Sequence, residues 1–399
     1  MKKILIYEAM PDIERAKVIV NLALKEIGDG NEVLIFVEEE VQLLSRNGLN
    51  TPHTISCKNI IKSIIAPTGI PFYVLPKLKK ARVVFPKDPE SIMKSIREHR
   101  NRATIPLLKA YNPDEVHVWN GLAHFQQDFI QTVRSANPNQ SFVFMEAGWY
   151  PQKAHYYQDP NGVNGASSIS ETSPPPLSSD ESQEVKKWKA EFRKKNGDHK
   201  IKNKEYIFIP LQLETDTNIA LFSPFKTMRE LLVWVISNTT KATQIVVRPH
   251  PLDDQIDYHQ IANLSDRISI DTTSDLHKLL AECKLVIGVN STVLLEALIY
   301  HKPVVALGRG VFSSSPAIYK HDINYRLDIE KLHFNEERAD ELISLLLARQ
   351  APLPSMQLST IAPRTIRSSL SRELTTQYGK VDQKIAQTLI KLKQFILTK

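Results

Sequence analysis

Short apolar runs recur along the chain, separated by segments whose apolar residues fall at helical spacing. In the first part Lys3–Tyr7, Glu32–Val37, Phe72–Leu75, Glu115–Trp119 and Phe142–Met145 read as strands. Between them Ile13–Ile27, Val41–Arg46, Pro89–Leu108 and Gln126–Ala136 read as helices. The alternation resumes with strands at Tyr206–Leu211, Gln244–Val247, Ile268–Asp271, Leu285–Val289 and Val304–Leu307. Helices over Pro224–Ser237, Asp275–Ala281 and Val293–Tyr300 separate these, and residues 335–350 and 381–397 read as further helices. Strand-helix alternation on this scale predicts α/β domains with doubly wound parallel sheets.

The breaks in the pattern are as informative as the runs. Leu285–Val289 stops at Asn290-Ser291-Thr292, and Glu296 follows one turn into the next helix. Small polar residues there suit a helix cap, and a helix N-terminus at the carboxyl end of a parallel strand favours an anion. An ordinary capping box is the structural alternative. Gln244–Val247 runs into Arg248-Pro249-His250-Pro251, where two prolines end the strand and hold an Arg and a His suited to a phosphate or carboxylate. Tyr206–Leu211 runs into Gln212, with Asp216 four residues on. In a parallel sheet these three clusters share one edge and converge. Glu146, directly after Met145 and followed by Ala147-Gly148, holds the analogous place in the first part. Residues 159–168 are dense in Gly, Asn and Ser, as in functional or disordered loops. Residues 169–183 (ISETSPPPLSSDESQ) read as a linker. The basic stretch Glu184–Lys204 carries Trp188 and Phe192 at i, i+4, as a helix docking on the body or as a surface for a membrane or anionic acceptor.

Composition narrows the partners. The 399 residues predict two domains, and 42% apolar with 24% charged residues is ordinary for a soluble globular chain. No apolar run reaches membrane-spanning length, and MKKILIYEAM reads as a first strand rather than a signal peptide. Cys57 and Cys283 lie far apart in apolar surroundings, so reduced core thiols and a cytoplasmic location are expected. A net charge of +7, with a basic cluster at Lys77–Arg82, permits association with anionic lipid or saccharide, and nucleic acid is not expected as a partner. GxGxxG after the first strand, GxxxxGK[ST], HExxH and a placed DxD are all missing, and the twelve histidines form no ligand pattern, so neither a dinucleotide nor a metal is implied.

Taken as an ordered series, Glu146-Ala-Gly, Gly162-Val-Asn-Gly-Ala-Ser, Pro210-Leu-Gln212 to Asp216, Arg248-Pro-His-Pro and Asn290-Ser-Thr to Glu296-Ala-Leu resemble the capsule polysaccharide biosynthesis proteins. These include retaining β-Kdo transferases that use CMP-β-Kdo. The resemblance covers about residues 115–310. In better-known members an adjacent Glu-Asp or Glu-Asn pair precedes the first Gly, where this chain has Glu146-Ala147. The resemblance implies a GT-B-like α/β fold, two Rossmann-like domains facing across a cleft. It implies residues 1–168 as acceptor-binding domain, 169–204 as linker and basic helix, 205–335 as nucleotide-sugar domain, and 336–399 as terminal helices crossing back. It further implies Asp216 as nucleophile, Glu146 as base, and Gln212, Arg248, His250, Asn290, Ser291, Thr292 and Glu296 around the donor. CMP-β-Kdo would be donor substrate with no separate cofactor. A glycan or glycolipid of the capsule or lipopolysaccharide class would be acceptor, met at the inner face of the cytoplasmic membrane. A transferase using another nucleotide sugar and a non-catalytic capsule assembly or export factor are the alternatives.

Overall fold

The computed structural model describes residues 1–9, 13–43, 53–75, 89–253 and 258–354. The basic cluster Lys77–Arg82 and the helix expected at 381–397 lie outside the described residues. The chain forms two compact units, one holding Met1–Met145 and the other Glu146–Pro352.

The first unit runs β1 (Lys3–Glu8), α1 (Ile13–Gly28), β2 (Glu32–Glu38), β3 (Glu40–Leu43), β4 (His53–Ser56), α2 (Lys58–Ile60), β5 (Phe72–Leu75), α3 (Pro89–Tyr111), β6 (Glu115–Trp119), α4 (His124–Ala136) and β7 (Ser141–Ala147). Five strands pair in parallel in the order β5-β2-β1-β6-β7. Ile4 to Tyr7 are all buried, as strands covered on both faces require. The helix expected at Val41–Arg46 is instead the short strand β3, paired antiparallel with β4. Pairing with partners ten to sixteen residues away overrode the local apolar spacing there. At the carboxyl end of β2 the buried Glu38 accepts bonds from Tyr7 Oη (2.6 Å) and from Arg100 Nε and Nη2 (2.8 and 2.9 Å).

The second unit continues with β8 (His155–Asp159), α5 (Ser179–Lys195), β9 (Tyr206–Pro210), α6 (Thr217–Phe222), α7 (Met228–Asn238), β10 (Gln244–Arg248), α8 (Tyr258–Ala262), β11 (Ile268–Ile270), α9 (Leu276–Glu282), β12 (Leu285–Gly288), α10 (Thr292–Ile299), β13 (Val304–Ala306), β14 (Tyr319–Lys320), α11 (Glu336–Arg349) and β15 (Gln350–Pro352). Its sheet is parallel throughout, in the order β11-β10-β9-β12-β13-β14. Counted along this unit the order is 3-2-1-4-5-6, the Rossmann arrangement, so both units have the expected α/β class. Ile207, Ile209, Ile245, Val247 and Ile287 form one buried face with Leu231, Leu232 and Val235 of α7. The helix expected at Pro224–Ser237 is α7, which begins four residues later at Met228, and α6 is a further short helix ahead of it.

Two other expectations change. The first domain ends at Met145 rather than 168, so Glu146 and the loop after it belong with the second unit. The reason lies in what they bind: Tyr150 Oη donates to Leu295 O (3.3 Å), and Trp149 and Tyr150 N–H donate to Gln350 Oε1 (2.9 and 3.1 Å). Residues 169–183 are likewise no linker. Ile169 and Ser170 are buried, Ser314 Oγ donates to Ser170 O (2.8 Å), and Ser178 caps α5 in a capping box with Glu181. On α5, Trp188 and Phe192 pack together at 5.3 Å and Tyr150 meets Trp188 at 5.3 Å, as a docking helix requires. Beside them Lys189 is buried, its ammonium 2.5 Å from Asp340 of α11. Among the described residues no helix is long and apolar enough to cross a membrane.

Removing one member of a buried ion pair strands the other charge away from water. Lys189→Met is therefore expected to lower stability by about 3–5 kcal/mol in urea unfolding, and Lys189→Met/Asp340→Leu by clearly less. A double variant as unstable as the single one contradicts this account.

Candidate active site

The strand order of the second unit reverses at β9: the chain first adds β10 and β11 on one side, then β12 on the other. Connections leaving β9 and β12 diverge there, and open α/β sheets bind ligands in that crevice. Gln212 and Asn290 meet across it. Gln212 Nε2 donates to Asn290 Oδ1 (3.0 Å), and the Asn290 backbone N–H donates to Gln212 Oε1 (3.2 Å). Asn290 Nδ2 donates to the carbonyls of Asn218 (3.2 Å) and Arg309 (3.0 Å). One side chain thus ties the loops after β9, β12 and β13. The close approach excludes a side chain at Gly308, where a Cβ would fall 2.6 Å from Phe222 O.

Asp216 caps α6, its carboxylate accepting the Asn218 N–H at 2.8 Å. Asn218 Oδ1, one residue into the helix, is buried with no hydrogen-bond partner. Beside α6 sits the loop after β8. Arg309 Nη2 donates to Gly165 O (3.0 Å), Arg309 N–H donates to Phe222 O (2.9 Å), and the guanidinium lies 5.9 Å from the Phe222 ring. The loop is built on buried Asp159, which accepts from Asn161 N–H (2.8 Å), Gly162 N–H (3.3 Å), Ser168 N–H (2.9 Å) and Ser168 Oγ (2.6 Å).

Ser291 caps α10, accepting the Val293 N–H at 3.2 Å, and Thr292 is the first helical residue. Arg248, at the end of β10, donates through Nη1 to Ser274 O just before α9. His250 lies in the turn beyond, Nδ1 accepting the Leu252 N–H at 3.2 Å and its carbonyl the Asp253 N–H at 2.9 Å. Glu146, at the end of β7, accepts its neighbour Ala147's N–H (2.9 Å). A Cβ on Gly148 would come 2.7 Å from His155 Cβ, which accounts for glycine in that motif. The structure therefore joins Gln212, Asp216 and Asn290 through direct bonds and one intervening Asn218, and sets Ser291 and Thr292 on the same turn as Asn290. It anchors Arg248 separately, toward α9.

Glu296 is the outlier. Its side chain is only 14% exposed, Oε2 has no hydrogen-bond partner, and burial alone lifts the carboxyl from the usual 4.5 to about 7. Facing it at 3.8 Å is His277 Nδ1, equally without a partner, on an imidazole whose pKa burial lowers. Tyr300 Oη completes a group of three unpaired buried polar atoms. His277, Asn218 and Tyr300 were not legible as site residues. The only signal was Asp275, whose capping of α9 fixes where His277 stands. Among the described residues no three His, Cys, Asp or Glu side chains gather in a way that would hold a metal ion.

Residues 176–321 match the model of the family described as capsule polysaccharide biosynthesis protein, the resemblance read from the motifs. No curated protein matches. Among solved structures, the chain is similar to the β-Kdo 2,7 transferase of KpsC from Thermosulfurimonas dismutans, at 18% identity over 63% of this chain and 86% of that one, TM-score 0.45. The β-Kdo 2,4 transferase of the same protein gives 13% identity over 71% and 87%, TM-score 0.45. Anabaena Alr3699/HepE, in complex with UDP and glucose, gives 14% over 88% and 95%, TM-score 0.35.

The buried Glu296 makes stability depend on pH with a definite sign. Between pH 4.5 and about 7 the folded protein keeps a proton that the unfolded chain has released, so stability falls as pH rises through this window. Glu296→Gln removes that loss and should be more stable than the parent at pH 8 by roughly 2–4 kcal/mol, with the difference vanishing near pH 4.5. Urea unfolding at both pH values measures it; an equal difference at the two means that the carboxyl is not desolvated.

Proposed function

We propose that the second unit holds a nucleotide-sugar donor at this edge, and that the protein is a retaining β-Kdo glycosyltransferase moving Kdo from CMP-β-Kdo to a surface-glycan acceptor. The observation that carries the reading is the Gln212–Asn290 clasp at the strand-order reversal, with Asp216 and the caps of α6 and α10 gathered on it, inside the segment that matches the family model.

The chemistry follows from the groups. Arg248 and the amino end of α10, with Ser291 and Thr292, meet the donor's phosphate, His250 its phosphate or sugar carboxylate, and Glu296 the ribose hydroxyls. Gln212 and Asn290 hold the loops that shape the pocket. The anomeric carbon of a 2-keto acid sugar bears no hydrogen, and loss of CMP leaves an oxocarbenium-like centre. Retention by two inversions needs a protein nucleophile, which is Asp216. Glu146 takes the proton from the acceptor hydroxyl. The exposed lysines of α5 and the segment after it, Lys186, Lys187, Lys194, Lys195 and Lys200, suit a peripheral contact with anionic lipid, each contributing on the order of 1 kcal/mol and screened by salt. A second nucleotide class remains the competing reading, and calorimetry with CMP, UDP and GDP separates the two.

Asp216→Asn is a clean probe because Asn caps a helix as well as Asp does. It should fold, bind CMP like the parent and lose transfer. Intact-mass spectrometry of the parent with CMP-Kdo should find one Kdo on the peptide carrying residue 216. Near-parental turnover in the variant, or an adduct elsewhere, refutes the mechanism, and a chain tolerant of Asp216→Ala in vivo points to the assembly-factor alternative.

Losing a charge-assisted bond to a bound anion or diol costs about 1.5–3 kcal/mol. Glu296→Ala and Arg248→Ala should therefore weaken CMP about ten- to a hundredfold. Unchanged affinity in either variant removes that residue from the donor site.

A further inference from the structure

We propose that His277 and Glu296 form a proton-sharing pair that positions the Glu296 carboxylate for a vicinal diol; this rests on the donor reading above. Glu296 Oε2 and His277 Nδ1 face each other at 3.8 Å, and both are buried without any hydrogen-bond partner. That distance is too long for a hydrogen bond and short enough to close by a small side-chain rotation. Two adjacent unsatisfied buried groups are costly in a native protein and call for an explanation. The His277 ring is held by aromatic neighbours on two sides, Phe192 of α5 and Tyr300 at the end of α10, each at 5.8 Å. It is thereby kept aimed at Glu296.

The surrounding charges act in both directions. On its own helix Asp275 favours the imidazolium, while His199, bonded to Asp275 at 3.1 Å, and Arg248 at the end of β10 oppose it. Tyr150 and Tyr300 face Glu296 as neutral phenols, burial raising both hydroxyls further from ionisation. Arg193 of α5 and Asp198 act on Tyr300 with opposite signs. Burial acts on both: it raises the carboxyl to about 7 and lowers the imidazole, so without a ligand each is drawn toward its neutral form. A diol donating two hydrogen bonds needs an ionised carboxylate. The O–H bond at Oε2 breaks and an N–H bond forms at Nδ1, so the pair becomes carboxylate and imidazolium with no proton lost to solvent. His277 is a positioning residue in this scheme; it does not touch the reacting atoms.

The test uses the full chain with CMP as probe. Calorimetry at pH 6.5 in two buffers of different ionisation enthalpy counts the protons released on binding. In the parent the count should stay near zero. His277→Phe keeps the ring packed and accepts no proton, so the count should rise toward one and affinity fall about tenfold. His277→Gln serves in its place if the Phe variant does not fold, with the same rise expected. An unchanged count in a folded variant overturns the proposal. Separately, nitrogen-15 NMR follows His277 from pH 5 to 9 in the parent and in Glu296→Gln. The parent's imidazole should titrate at higher pH, because while the pair holds one proton between its two groups the carboxylate–imidazolium form adds to the imidazole's share, and a glutamine offers no such form. Superimposed curves overturn the pair. If the parent takes up no CMP, the donor reading fails, and the NMR comparison alone decides whether the pair exists.

Discussion

Two primary amides facing each other across a reversal of strand order hold the second unit's polar edge together. A parallel Rossmann sheet delivers the loops after β9 and β12 from buried strands, but at the reversal the connections leave in opposite directions. Gln212 and Asn290 join them with reciprocal bonds, and the spare hydrogens of Asn290 reach the carbonyls of Asn218 and Arg309. Asn218 lies in the first turn of the helix that Asp216 caps, and Arg309 carries the link on to Gly165. The position of the proposed nucleophile therefore depends on an interaction made by neither of its own atoms. A carboxamide suits this task because it donates and accepts in one plane: Asn290 Oδ1 takes the Gln212 amide while its Nδ2 reaches outward, and Gln212 Oε1 takes the Asn290 backbone N–H.

Three buried carboxylates show how the same cost is met differently. Glu38 accepts from Arg100 and Tyr7, and Asp159 accepts from four donors of its own loop. Both are structural: their charge or lone pairs are satisfied by the groups they organise. Glu296 has burial without comparable partners, and its carboxyl is accordingly driven toward neutrality. A cluster of unpaired buried polar atoms of this kind is what a binding site looks like before its ligand supplies the missing bonds.

Much of this was legible in the chain, for a physical reason. Strands buried on both faces must be apolar throughout, so Ile4–Tyr7 and Leu285–Val289 announced themselves, and the polar residues that stop them could lie only at the sheet's edge. What escaped was whatever depends on partners distant in sequence. The Ser- and Pro-rich stretch 169–183 has a linker's composition, yet Ile169 and Ser170 are buried and the Ser170 carbonyl is bound by Ser314, 144 positions away. Lys189 is one cation among many on a basic helix until Asp340 is found beside it. His277 has no signal beyond the Asp275 cap of its helix, since its meaning comes from α10 meeting α9.

Asp216 is both the cap of α6 and the proposed nucleophile, and these two roles do not compete. A nucleophilic carboxylate must be held at a fixed angle to the carbon it attacks, and a side chain free to rotate loses much of that advantage. The bond from Asn218 N–H fixes the Asp216 carboxylate plane relative to α6, and α6 is itself fixed by buried Ile219 and by Arg309 binding Phe222 O. The cap thus places the carboxylate at the crevice edge with little left to order when substrate arrives. Because α6 is six residues long, it has little stability of its own and takes its orientation from these anchors. The angle of the proposed nucleophile is then set by the Gln212–Asn290 clasp, through Asn218, rather than by the helix that it caps.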